Sequence, residues 1–197
     1  MKSIAIFCGS SIGNDENFTK QAQELGKAIA AQGFSLIYGG GKAGLMGIIA
    51  DSALEAGGEV VGVIPQNLVD AELAHPQLTQ LYIVEDMHER KAKMSELADA
   101  FIAMPGGVGT LEEIFEQMTW AQLGLHQKPC AFFNVNGFYD QLLAFLMTTT
   151  ATGFTKARFT DALISSDKID LLLNALLQYT PPEAKWSKPE IVVEQSQ

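Results

Sequence analysis

Short apolar runs alternate along the chain with segments of helical period. IAIFC at 4–8 ends in a Gly-Ser-Ser turn. Residues 15–32 then read as an amphipathic helix, opened by Asn14 or Asp15 and closed by Gly33. FSLIY at 34–38 is a second strand, 44–56 a helix of small residues, and EVVGVIP at 59–65 a third strand. Residues 66–79 carry no clear period and form the longest connection. LYIVE at 81–85, AFIAMP at 100–105, PCAFFNV at 129–135 and ALISS at 162–166 continue the strands. Helices are predicted over 86–97, 110–123, 138–149 and 168–178. The strands are apolar throughout rather than alternating, which indicates a parallel sheet covered on both faces. The predicted class is α/β: one domain over 1–180, built on about six to seven strands with helices on both sides. A Pro-rich tail at 181–197, loosely attached, follows it.

In such sheets ligands bind at the carboxyl ends of the strands. The loops that begin near Gly9, Gly39, Pro65, Glu85 and Pro105 are therefore the ones to read for chemistry.

Gly39, Gly41 and Gly44 satisfy G-x-G-x-x-G between a strand and a helix. Two features oppose a dinucleotide site. The loop follows the second strand rather than the first, and the acid about 20 residues on, Glu59, starts a strand instead of ending one. Contact with a phosphate or ribose, or glycines needed for a tight turn, remain the readings of this loop. Lys42 does not make a phosphate-binding P-loop, because Leu36 and Ala43 stand where Gly and Ser or Thr are required.

The loop P-G-G-V-G-T at 105–110 opens a helix, where backbone N–H groups and the helix dipole favour an anion. Thr110 is predicted as the N-cap, with Glu113 three residues on completing a capping box. The apolar stripe of this helix is Leu111, Ile114, Phe115 and Met118, which places Glu113, Gln117 and Trp120 on the other face. Glu113 would then be a carboxylate beside an anion site, suited to stabilising a developing cation or orienting water. A tryptophan on that face points to a subunit interface or a site wall.

Asp86 and Glu89 offer a further capping box, and Arg90 and Lys91 fall in the first turns of their helix. Cations are better placed at a helix C-terminus. Arg90 as a fork and Lys91 as a point charge would clamp a phosphate; a solvated charge run is the alternative.

Composition narrows the chemistry. Thirteen basic against 23 acidic residues give a net charge of −10, which argues against a nucleic-acid partner. Arginine occurs only at Arg90 and Arg158, so Arg90 in a motif stands out. Cys8 and Cys130 read as buried free thiols in a reducing cytoplasm, and no run is long enough for a membrane span. His75, His88 and His126 have no metal-ligand spacing, so neither metal nor cofactor is expected.

The segment at 105–113, P-G-G-V-G-T-L-E-E, resembles the P-G-G-x-G-T-x-x-E signature of the LONELY GUY family, often labelled lysine decarboxylase-like. The resemblance extends over 39–47, 87–91 and 119–124, and covers most of 3–178. It implies a Rossmann-like homodimer that hydrolyses the N-glycosidic bond of nucleoside 5′-monophosphates to a free base and ribose 5-phosphate. Cytokinin riboside monophosphates and AMP are the implied substrates. By the same resemblance Arg90 and Glu113 match the catalytic pair. Glu72, Lys91, Gly107, Val108, Gly109, Thr110, Leu111, Glu112 and Thr119 match nucleotide contacts, and Ser10, Gly40 and Gly41 are candidate further contacts. A nucleotide sensor without turnover and a phosphoribosyl transferase using an acceptor other than water are the rival functions.

Overall fold

The computed structural model describes residues 1–71 and 73–186. Among them seven strands form one sheet: β1 (Ser3–Phe7), β2 (Ser35–Tyr38), β3 (Val60–Pro65), β4 (Gln80–Val84), β5 (Ala100–Ala103), β6 (Cys130–Phe133) and β7 (Ile164–Ser166). All neighbours run parallel, in the order β4-β3-β2-β1-β5-β6-β7. The helices are α1 (Glu16–Ala31), α2 (Gly44–Glu55), α3 (Gln66–Asp70), α4 (Met87–Leu97), α5 (Val108–Leu123), α6 (Asp140–Ala151), α7 (Ala157–Asp161) and α8 (Ile169–Leu177). The order reverses between β1 and β5, so the loops leaving these two strands flank the crevice where doubly wound sheets bind ligands. A hydrogen bond from Gly9 N to Pro105 O (3.1 Å) ties the two loops together.

Both faces of each central strand are buried, which is why the strands lack polar alternation. Ile4 and Ile6 of β1 pack with Leu25, Ile29, Ile49, Leu172 and Leu173, under α1, α2 and α8. Ala5 and Phe7 pack with Met94 and Ile114, under α4 and α5. The sequence-predicted strands and long helices are present, with ends displaced by one or two residues.

Two short helices, α3 and α7, were not expected; each has five residues, too few for a helical period to register. The tail also differs from its expected loose attachment over 181–186. Arg158 donates from Nε to Glu183 O (2.8 Å) and from Nη2 to Ala184 O (2.9 Å), and Lys185 N donates to Gln122 O (2.7 Å). Residues 187–197 lie outside the described residues. No described helix is long and apolar enough to cross a membrane.

Helices α1 and α2 approach closely at Gly26, where a Cβ would sit 2.6 Å from Ile49 O. Alanine gains about 1 kcal/mol over glycine in a helix. Forcing the two backbones apart costs about 1–3 kcal/mol. Gly26→Ala is therefore expected to lower the urea midpoint; a raised midpoint would show that the helices separate freely.

Candidate active site

Helix α4 starts where β4 ends, and Asp86 caps it: Oδ1 accepts from His88 N and Glu89 N, both at 2.8 Å. Those two bonds hold the Asp86 carboxyl below its ordinary pKa. Glu89 returns the contact one residue earlier than a capping box requires, accepting from Glu85 N at 2.7 Å. One turn in, Arg90 points back over the sheet. Its Nε donates to Val63 O on β3 (3.0 Å) and its Nη1 to Glu113 Oε1 on α5 (2.8 Å). The guanidinium fits because Gly39, at the end of β2, has no side chain: a Cβ there would stand 1.8 Å from Nη2.

Helix α5 departs from its expected start. Its N-cap is Gly107, so Val108, Gly109 and Thr110 form the first turn. The Thr110 side chain is buried under the loop, where a Cβ on Gly106 would meet its Oγ1 at 2.2 Å. The predicted Thr110–Glu113 capping box therefore does not form. Glu113 is free of that role and takes Arg90 instead. The helix also leaves the N–H groups of Val108, Gly109 and Thr110 without helical acceptors. Gly107 and Gly109 have no neighbour within 4 Å of a built Cβ, and neither has a positive φ. Protein packing does not require glycine at either position.

The apolar stripe of α5 packs on the core as expected, through Ile114 with Leu111, Phe115 and Met118 against it, but the opposite face is buried too. Glu113 is 9% and Gln117 1% exposed, while Leu111, Phe115 and Met118 are only half-buried. Side chains of α4 reach this side, Arg90 to Glu113 and Lys91 to Glu112 and Glu116. Trp120 is half-buried. Burial raises the Glu113 pKa, and the Arg90 charge and hydrogen bond only partly offset it. Below the pair lies Cys8, whose thiol is pushed up first by burial and then by the Glu113 charge. It forms an unreactive floor. Cys130 is likewise a buried free thiol.

Lys91 does not stand free as a point charge. Its buried ammonium is bonded to Glu112 and to Glu116 Oε1 (3.1 Å). Ser10 lies against the glycine loop that follows β2: a Cβ on Gly44 would be 2.3 Å from its carbonyl carbon. Gly40 and Gly41 are held from the far side. His75 N donates to Gly40 O (2.9 Å), and Gly41 pairs with Ala74.

Arg90, Lys91, Glu112 and Glu113 are thus brought together, beside the turn that carries Gly107 to Leu111. Val108 is 83% exposed. Thr119 is set apart, about 9 Å further along α5 than Glu113, and donates to Phe115 O (2.7 Å). Glu72 lies outside the described residues. Sequence reasoning missed the Val63 carbonyl, which has no side-chain signature, and Glu116, whose spacing of four from Glu112 was a usable signal. Among the described residues no group of three or more His, Cys, Asp or Glu could hold a metal ion.

Comparison with known proteins adds the following. Residues 46–176 match the family described as "Possible lysine decarboxylase". The chain is 50% identical over 154 residues to a cytokinin riboside 5′-monophosphate phosphoribohydrolase of Rhodococcoides fascians, covering 78% of each chain. It is 42% identical over 184 residues to one of Arabidopsis thaliana, covering 93% of this chain and 86% of that one. In fold it is similar to the Moco carrier protein of Chlamydomonas reinhardtii, with TM-score 0.68, 21% identity, and 90% and 96% of the two chains covered.

The fit of Arg90 against Gly39 is testable without knowledge of a ligand. Gly39→Ala must displace the guanidinium and is expected to cost about 1–3 kcal/mol. An unchanged urea midpoint would show that Arg90 does not depend on that gap.

Proposed function

The chain belongs to the LONELY GUY family, and from that membership and the Arg90–Glu113 geometry we propose that it is an N-glycosidase acting on nucleoside 5′-monophosphates. Cytokinin riboside monophosphates and AMP are the substrates to assay, and a free base and ribose 5-phosphate are the products. The observation that carries this reading is a buried carboxylate paired at 2.8 Å with an arginine, one and a half turns from a helix N-terminus whose glycines open onto free space. Val108 and Glu113 are about 8 Å apart along the helix axis, a span that a ribose 5-phosphate bridges.

In the proposed reaction the 5′-phosphate sits on the N–H groups of the first turn of α5, at the positive end of the helix dipole. The C1′–N bond breaks, its electron pair leaves with the base, and positive charge develops on the ribose ring. The Glu113 carboxylate faces that charge and orients the attacking water, which gives hydroxide to C1′ and a proton to the departing base. Arg90 fixes Glu113 and polarises the ribose. Its Nε and Nη1 donate to Val63 and Glu113, which leaves Nη2 as the donor for the ribose or the phosphate. Lysine decarboxylation, the activity the matching family is named for, finds no support in this arrangement.

We also propose a homodimer in a reducing cytoplasm. Helix α6 is apolar yet buries no residue, and Phe145 and Met147 on it and Phe154 beyond it are exposed. The buried free thiols suit that compartment.

Incubation with AMP and with isopentenyladenosine monophosphate, followed by chromatography, tests the activity. Glu113→Gln is expected to remove base release while retaining nucleotide binding; turnover like wild type in this variant would sink the assignment. The carboxylate must be ionised to act and its pKa is raised. The rate should therefore rise with pH through a midpoint above the ordinary glutamate range. A midpoint at or below that range would remove burial as the controlling influence.

Gly107→Ala separates the phosphate seat from the fold. An added Cβ meets no protein atom within 4 Å. Thermal stability should hold, while KM for AMP rises about tenfold or more, as lost anion contacts imply. An unchanged KM would place the phosphate elsewhere.

A further inference from the structure

Lys91 is the group whose surroundings fit a phosphate ligand least well. Its side chain is 8% exposed, and its ammonium meets two carboxylates, Glu112 and Glu116. To reach a phosphate it would have to abandon both. The local sum is two cations, Arg90 and Lys91, against three carboxylates, Glu112, Glu113 and Glu116. A dianion added to that cluster is repelled unless it sits elsewhere, on the uncharged N–H groups of α5.

Consecutive residues on a helix point about 100° apart. Arg90 therefore reaches over the sheet edge to Val63 while Lys91 reaches sideways to α5. Glu112 and Glu116 are four apart, on one face of α5, and take the ammonium between them. Glu113 comes next to Glu112 and takes the guanidinium. Two neighbouring residues of α4 thus engage three carboxylates within two turns of α5. Glu116 Oε2 is buried and has no partner, so its carboxylate is held there by Lys91 alone. An acceptor left in that state costs about 1–3 kcal/mol, and since the side chain is still 23% exposed, the Lys91 contact is what holds its carboxylate inward.

We propose that Glu116 is a positioning residue: with Glu112 it clasps Lys91, fixes α4 against α5, and thereby sets the Arg90–Glu113 pair. Lys91 acts through that clasp rather than on the phosphate. Its charge also reaches Glu113, where it favours the ionised carboxylate.

This inference rests on the activity proposed above, and the test separates the two. Lys91→Met, Glu116→Gln and the double variant are assayed for AMP turnover, and for AMP and adenosine affinity by calorimetry. The expected result is a fall in kcat of about tenfold or more in each single variant, as misplacement of a reacting group implies, with KM and AMP affinity within about twofold. The double variant should lose no more than the worse single one, since both break the same clasp. The acid limb of the rate profile should move up in Lys91→Met, which a purely structural role would not cause. A rise of about tenfold or more in KM for Lys91→Met, with the preference for AMP over adenosine lost, would make Lys91 a phosphate ligand and overturn the proposal. Additive losses in the double variant would do the same for Glu116. Should the wild type release no base at all, the proposed activity fails. The affinity arm still decides: AMP binding unchanged in Lys91→Met supports the clasp, and weakened binding overturns it.

Discussion

The buried ion pair between Arg90 and Glu113 is the constraint around which the rest of the crevice is arranged. Only 9% and 11% of the two side chains are exposed. Removing water from two charges is expensive, and a buried pair seldom adds net stability over apolar residues of the same size. Removing one partner, by contrast, leaves a bare buried charge and costs about 3–5 kcal/mol. Such a pair makes sense as chemistry the fold supports rather than as support for the fold. The support is visible: a β3 carbonyl for Nε, the missing side chain of Gly39 for Nη2, and a dry thiol below.

The pair also explains how an acidic chain can handle an anionic ligand. With a net charge of −10, long-range steering opposes a nucleotide. Near the crevice the cations Arg90 and Lys91 are neutralised by carboxylates. On the proposed reading, recognition of phosphate falls to backbone dipoles, which carry no net charge and need no counter-ion. The carboxylate is then left facing the sugar, where positive charge develops. Helix α5 divides these tasks along its own axis, dipole at the first turn and carboxylate at the next.

The architecture was legible in the sequence because parallel strands buried on both faces leave unmistakable apolar runs, and Gly or Pro closes most of them. The pairing order and the switch point between β1 and β5 were not legible, because alternation with right-handed connections is compatible with more than one strand order. The site was only half legible. Arg90 and Glu113 stood out by scarcity and by spacing. Their contact joins residues 23 apart in sequence, on different helices, and cannot be seen in either segment alone. The Thr110 capping box was a sound local expectation that failed because the glycine loop lets the helix begin at Val108. Lys91 was read as a free charge for the same reason that Glu116 was overlooked: the clasp exists only once α4 lies against α5.

The motif at 105–113 separates into parts with different physical causes. Gly106 is required by the fold, since any side chain would collide with Thr110 and with Gly9 N. Thr110 is required in turn as the buried group filling the space beneath it. Gly107 and Gly109 satisfy no such demand; their surroundings are empty and their backbone conformations are open to other residues. A glycine that the protein does not need is most simply explained by something outside the protein that approaches the backbone there. Glu113 is the reverse case, a buried charge whose pairing with Arg90 adds little net stability over apolar residues of the same size. On the proposed reading, the gap at Gly107 and Gly109 and the buried charge of Glu113 lie on one helix because the ligand spans them.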